Sequence, residues 1–202
     1  MLATWNMVTR TGLAALAWTL GTAGIAAAAP KDPSGTWLTE DGRARIRVEK
    51  CGARQSNLCG YVVWMKTPLT DAGEPRLDRR NPDPNKTSRP LLGHQLMMGL
   101  RANGDENYQG LIYNNEDGKS YNVTVWVEDA GVLKVKGCLV AFLCSTQDWT
   151  RAGDVLPGQL AGVTGSANGP KPDPEWAPKP VAAGGPGQGE TVKADARPKP
   201  RP

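Results

Sequence analysis

From Gly35 to Arg151 the chain is cut by turn residues into eight short runs, none of which carries the 3.6-residue period of an amphipathic helix. Arg43 to Glu49 shows the pattern best: Ala44, Ile46 and Val48 fall on one face, and Arg43, Arg45 and Arg47 on the other. That is the period of a half-buried strand. The other runs are Gly35 to Glu40, Cys59 to Lys66, His94 to Arg101, Asn107 to Tyr113, Ser120 to Glu128, Val132 to Cys138 and Ser145 to Arg151. Turn chemistry at Ala102-Asn103-Gly104-Asp105, Glu116-Asp117-Gly118 and Asp129-Ala130-Gly131 makes most connections short, which implies antiparallel neighbours.

A meander of strands with no covering helix removes its exposed edges by closing on itself. The expected fold is therefore all-β, a small antiparallel eight-stranded meander barrel, with a two-sheet sandwich as the competing closure. Strand parity places Tyr121, Val123, Val125 and Val127, then Leu133 and Val135, then Leu96, Met98 and Leu100 in the interior. Trp64 and Trp126 have the opposite parity and are candidates for a partner surface. Eight strands enclose a space that side chains fill or that holds one small ligand.

One connection is long. Thr67 to Gly93 contains Asn81-Pro82 and Asp83-Pro84, which lock consecutive turns. It reads either as a cap over one barrel mouth, with Leu91 and Leu92 in the core, or as a recognition loop presenting Asp78, Asn81, Asp83 and Arg89. With Tyr113 and Tyr121, those four make the candidate ligand-binding set. A calcium loop built on Asp78, Asn81, Asp83 and Asn85 departs from the twelve-residue pattern in its prolines and missing glycine.

The four cysteines allow three connectivities, and the strand map selects local pairing. Cys51 and Cys59 flank the loop between the second and third runs; Cys138 and Cys144 flank the loop between the seventh and eighth. Disulfides imply an oxidising compartment, and Met1 to Ala28 has the layout of a signal peptide, with Arg10 before an uncharged stretch that ends in small residues. The expected division is a signal peptide over 1–28, the barrel over 29–152, and a disordered Pro/Gly-rich tail over 153–202 with Trp176 as a possible anchor. The protein is expected in the periplasm or secreted, with no membrane span once the leader is removed.

Catalytic chemistry has few candidates. His94 is the single histidine, so neither a shared metal nor a second base is on offer. No nucleophile elbow or Gly-rich phosphate loop is present, and the formal net charge of +4 is not gathered into the basic stripe of a nucleic-acid binder. No catalytic residue, metal site or cofactor is expected.

Several motifs carry a resemblance. Gly35-Thr36-Trp37, Leu58-Cys59-Gly60, Asn81-Pro82-Asp83, Arg89-Pro90-Leu91-Leu92-Gly93, Tyr113 before Asp117-Gly118-Lys119-Ser120-Tyr121, and Leu133-Lys134-Val135-Lys136-Gly137 leading to Trp149-Thr150-Arg151 resemble the bacterial exported family called domain of unknown function 2147, over about 33–151. The resemblance implies a lipocalin-like barrel. Gly-x-Trp on the first strand is also similar to lipocalins, in which the tryptophan closes one barrel end; Trp37 would do so here, with Arg151 packed across its ring. The function expected is non-catalytic binding of a small apolar or amphipathic molecule. The alternative is an envelope protein that uses Trp64, Trp126, the long loop or the tail against another protein or a cell-wall polymer.

Overall fold

The computed structural model describes residues 31–176 other than Ala141. The expected signal peptide and residues 177–202 of the expected tail lie outside the described residues. Eight strands follow in order: β1 (Gly35–Leu38), β2 (Ala44–Cys51), β3 (Asn57–Met65), β4 (Gln95–Ala102), β5 (Tyr108–Asn114), β6 (Lys119–Asp129), β7 (Val132–Val140) and β8 (Leu143–Arg151). Every strand pairs antiparallel with its sequence neighbour, and β1 with β8, so the meander closes into a barrel. No helix among the described residues is long and apolar enough to cross a membrane.

The two barrel ends differ. At the end holding the β2–β3, β4–β5 and β6–β7 turns, Trp37 is fully buried and donates through Nε1 to the Pro33 carbonyl at 2.8 Å. The Arg151 guanidinium sits 4.1 Å from the centre of that ring and donates through Nε to the Ala130 carbonyl. Trp37 thus plugs this end and Arg151 caps the plug. Above it Ile46, Val48, Leu58, Leu100, Tyr108, Val125 and Leu133 form one continuous core. The opposite end, the mouth, carries the β1–β2, β3–β4, β5–β6 and β7–β8 connections.

The interior is as expected on β6 and β7 and at Leu96 and Leu100 of β4, but not at Met98. Met97, with no exposure, takes the place expected of Met98, which pairs with the outward-facing Leu111. Gly99 adopts φ +58°, and pairing with β5 breaks between Met98 and Arg101. A bulge at this glycine shifts the alternation that a regular strand would keep.

A second departure concerns the expected tail. Residues 153–176 do not stand apart from the barrel; they run across its outer face. Arg45 donates to the Asp154 carbonyl and side chain at 2.8 and 2.9 Å, and Arg47 donates to the Gly162 carbonyl at 2.9 Å. Leu160 N donates to the Val63 carbonyl at 2.8 Å, and Leu160 and Trp176 cover an outer apolar cluster of Cys51, Cys59, Tyr61 and Val63. The segment is poor in apolar groups, but the arginine row of β2 supplies the donors its backbone needs.

Both disulfides pair locally, Cys51 with Cys59 and Cys138 with Cys144. They lie at opposite ends of the barrel: the first at the plugged end and the second at the mouth.

Candidate functional site

The six sequence candidates separate into two places. Four of them, Asp78, Asn81, Arg89 and Tyr113, meet outside the barrel wall. Asp78 is 1% exposed and accepts from Tyr113 Oη at 2.6 Å, Asn81 Nδ2 at 2.8 Å and Arg89 Nε at 2.9 Å. Burial works against the charge of Asp78, but these three donors more than offset it and hold its carboxyl below the usual carboxylate range. Burial, and then the hydrogen bond to Asp78, raise the Tyr113 phenol above its ordinary value.

The cluster extends into the C-terminal segment. Arg89 Nη1 donates to Asp173 at 2.6 Å and Lys86 Nζ donates to the same carboxylate at 2.8 Å. Gln95, fully buried on β4, accepts from the Asp173 backbone N–H at 2.9 Å. His94 packs edge-on to Tyr113 and donates from Nδ1 to the Leu91 carbonyl at 2.5 Å, since a carbonyl can only accept. Asp83 caps the 3₁₀ turn Pro84–Lys86 by accepting from Asn85 N at 2.9 Å.

These bonds occupy most of the polar atoms of the set. Arg89 Nη2 and His94 Nε2 are buried without a partner among the described residues, and a cavity of about 570 Å³ lined by Asp83, Lys86, Arg89, His94 and Asp173 adjoins them. The carboxylates of the calcium-loop reading are occupied by Tyr113, Asn81, Arg89 and the turn cap. Among the described residues, no group of three or more His, Cys, Asp and Glu side chains is arranged to hold a metal ion. The loop instead fastens to the outer wall: Leu91 is buried, Leu92 half-buried, and the Arg80 carbonyl lies over Gly118 in the β5–β6 turn. Gly118 has φ +74°, and a Cβ there would come within 2.0 Å of that carbonyl oxygen. Trp64 and Trp126 are both half-buried and stand on strands that are not neighbours, so they form no joint surface.

Tyr121 lies elsewhere. It faces the interior opposite Ile112, and its hydroxyl donates to the Asp117 carboxylate. Both line a cavity of about 480 Å³ at the mouth, bounded by Ile112 and Asn114 of β5, Tyr121 of β6, Val135, Gly137, Cys138 and Leu139 of β7, and Leu143, Cys144, Ser145, Gln147 and Trp149 of β8. Trp149 is 3% exposed and donates from Nε1 to Gln147 Oε1 at 2.9 Å. The lining is mostly apolar with a few convergent amide and hydroxyl groups, and its volume falls in the range of small-molecule sites, roughly 300 to 1,000 Å³.

The cavity owes its shape to the short first strand. β1 pairs with β8 at only two positions, Trp37 with Arg151 and Leu38 with Thr150, whereas β8 runs on to Leu143. No residue of β1 to β4 lines the space, which is a trough on the inner wall of β5 to β8, and its β8 wall residues Ser145 and Gln147 are exposed. Sequence parity placed Tyr121 inside; Trp149, Gln147 and the hairpin leucines were not singled out, although Trp149 has the same parity as Arg151.

Comparison with known proteins follows this geometry. Residues 35–151 match the family model described as an uncharacterized protein conserved in bacteria, DUF2147. The chain belongs to that family. The DUF2147 match spans the whole barrel from the first residue of β1 to the last of β8 and stops before the segment that crosses the outer wall. No curated protein matches this DUF2147 chain significantly. Among solved structures, it is similar in fold to protein HP1028 from Helicobacter pylori, described as belonging to the lipocalin family, with 22% identity, a TM-score of 0.51, and coverage of 61% of this chain and 84% of that one. The barrel of this DUF2147 member is thus lipocalin-like.

Proposed function

We propose that the protein is an exported, non-catalytic carrier or sensor of one small apolar or amphipathic molecule, held in the mouth trough. The observation that carries this reading is the asymmetry of the barrel: the Trp37 end is filled by core side chains, and the other end holds a cavity of about 480 Å³ floored by Trp149 and Val135. Apolar walls would take the hydrocarbon part of the ligand, and Asn114, Ser145 and Gln147 would orient one polar group. Two disulfides fit an oxidising compartment, which supports export.

Gly137 allows a direct test. A Cβ added there meets nothing within 4 Å, so Gly137→Leu starts from open space and puts bulk into the trough. Titration with the apolar dye N-phenyl-1-naphthylamine should give saturable binding with energy transfer from tryptophan, and Gly137→Leu should weaken it at least tenfold. Native mass spectrometry of gently purified protein should show a copurifying small molecule that Gly137→Leu lacks. If the dye does not saturate and no adduct is seen, the carrier reading fails.

A further inference from the structure

The β7–β8 hairpin ends in side chains that the fold leaves in water. Leu139 is 59% exposed, Val140 48%, Phe142 90% and Leu143 56%. The sequence from Gly137 to Gln147 contains no charged residue. The tip projects from Cys138 and Cys144, which sit directly opposite each other and are joined by a disulfide. Exposed apolar groups gathered at one loop mark an interaction site.

From these features we infer that the tip seats in the surface of a phospholipid bilayer. Three observations select that occupant. A stable protein interface takes about 20 to 30 residues a side with a polar rim; residues 139–143 are too few and have no polar rim of their own. A charge-free tip matches hydrocarbon; of the charges below it on the strands, Lys134 and Asp148 are paired with each other at 2.7 Å, and Lys136 stands exposed on β7. The tip is also continuous with the trough, because Leu139 and Leu143 belong to both. An apolar molecule could pass from the bilayer to the trough along these side chains without entering water. Seating is driven by apolar burial at the interface and not by basic charge.

The test uses flotation of the full mature chain with phosphatidylcholine vesicles. The protein should float with them, and raising the salt from 0.1 to 1 M should leave the bound fraction unchanged within twofold. Val140→Asp and Phe142→Asp lie outside the trough lining; each should cut flotation at least tenfold while N-phenyl-1-naphthylamine binding stays as it was. Gly137→Leu should show the converse, losing the dye and keeping flotation, so the carrier reading and the membrane reading fail separately. Phe142→Trp should give a blue-shifted emission on vesicles, quenched by brominated lipid. No flotation together with an unshifted Phe142→Trp emission overturns the inference. Two other results do the same: flotation only with anionic vesicles that salt abolishes, or a dimer on size-exclusion chromatography that Phe142→Asp dissolves while vesicles are ignored.

Discussion

Arg89 donates to Asp173 at 2.6 Å, joining the long β3–β4 loop to the segment that follows the last strand. The same guanidinium holds Asp78 at 2.9 Å, so one side chain ties a loop, a strand tyrosine and a C-terminal segment together. This junction lies outside the barrel, and its bonds fasten the loop and the C-terminal segment to the outer wall.

Replacing Asp173 should therefore loosen that attachment without touching binding. Asp173→Asn removes the charge that pairs with both Arg89 and Lys86, at a site 5% exposed. Arg89 retains Asp78, so the cost is expected at about 1.5 to 3 kcal/mol, the range for hydrogen bonds to charged groups. Urea unfolding should show the lower midpoint, and limited proteolysis should cut within 153–172 sooner than in the parent. Unchanged midpoint and cleavage would mean that the apolar contacts of Leu160 and Trp176 hold the segment unaided.

Acid should weaken the same junction in two stages. Burial holds the His94 imidazole below the ordinary histidine range, with Arg89 adding to the effect while the Leu91 carbonyl, Asp78 and Asp173 oppose it. In the unfolded chain that imidazole takes up a proton near pH 6.5. Between that pH and its lower native value the unfolded state binds more protons, so stability falls as pH falls. Asp78, whose native carboxyl is also lowered, adds a second loss below about pH 4. Thermal unfolding followed from pH 8 to 4.5 should show the first loss, and His94→Gln should flatten the slope between pH 7 and 5. An unchanged slope in that variant would assign the loss to other groups.

The barrel was legible in the sequence because its signal is local. Period-two alternation at Ala44, Ile46 and Val48, Gly-containing turns, and Gly-x-Trp with a distant arginine each report on short stretches whose geometry the backbone dictates. Met97 was missed because a single glycine at φ +58° shifts the alternation, and a glycine in a strand does not say from sequence whether it bulges. Residues 153–176 were misread for a different reason. Proline, glycine and few apolar side chains do exclude an independent core, but here the ordering groups, Arg45, Arg47, Lys86, Arg89 and Gln95, come from elsewhere in the chain. The loop candidates were read as presenting polar groups to a ligand, and in the structure Asp78, Asn81, Arg89 and Tyr113 bond to one another. They converge on each other, which composition cannot distinguish from convergence on a ligand.

Gly118 gives a sharp backbone test of how the loop docks. A methyl group there would sit 2.0 Å from the Arg80 carbonyl oxygen, and φ is +74°. The left-handed conformation alone costs an L-residue about 1 to 2 kcal/mol, and here the obstructing atom is backbone that cannot rotate aside. Gly118→Ala should lower stability by more than that strain and raise amide exchange across 76–91. Gly42→Ala, at φ +67° with nothing within 4 Å, should cost the strain alone. Equal losses in the two variants would rule out the close approach.

The two disulfides should differ in what their removal costs. Chain entropy gives nearly the same figure, about 2 to 3 kcal/mol, for loops closed over separations of 8 and 6 residues. Packing separates them. Cys51 and Cys59 are 5% and 0% exposed and belong to the outer apolar cluster with Tyr61 and Val63, whereas Cys138 and Cys144 are half-buried at the mouth. Cys51→Ala with Cys59→Ala therefore adds lost apolar contact to lost cross-linking, and should destabilise by at least 1 kcal/mol more than Cys138→Ala with Cys144→Ala. Access runs in the same direction: dilute dithiothreitol should reduce the Cys138–Cys144 bridge first, as read by alkylation and peptide mapping. Reduction of Cys51–Cys59 first, or equal losses of stability, would show that the outer cluster contributes nothing beyond the cross-link.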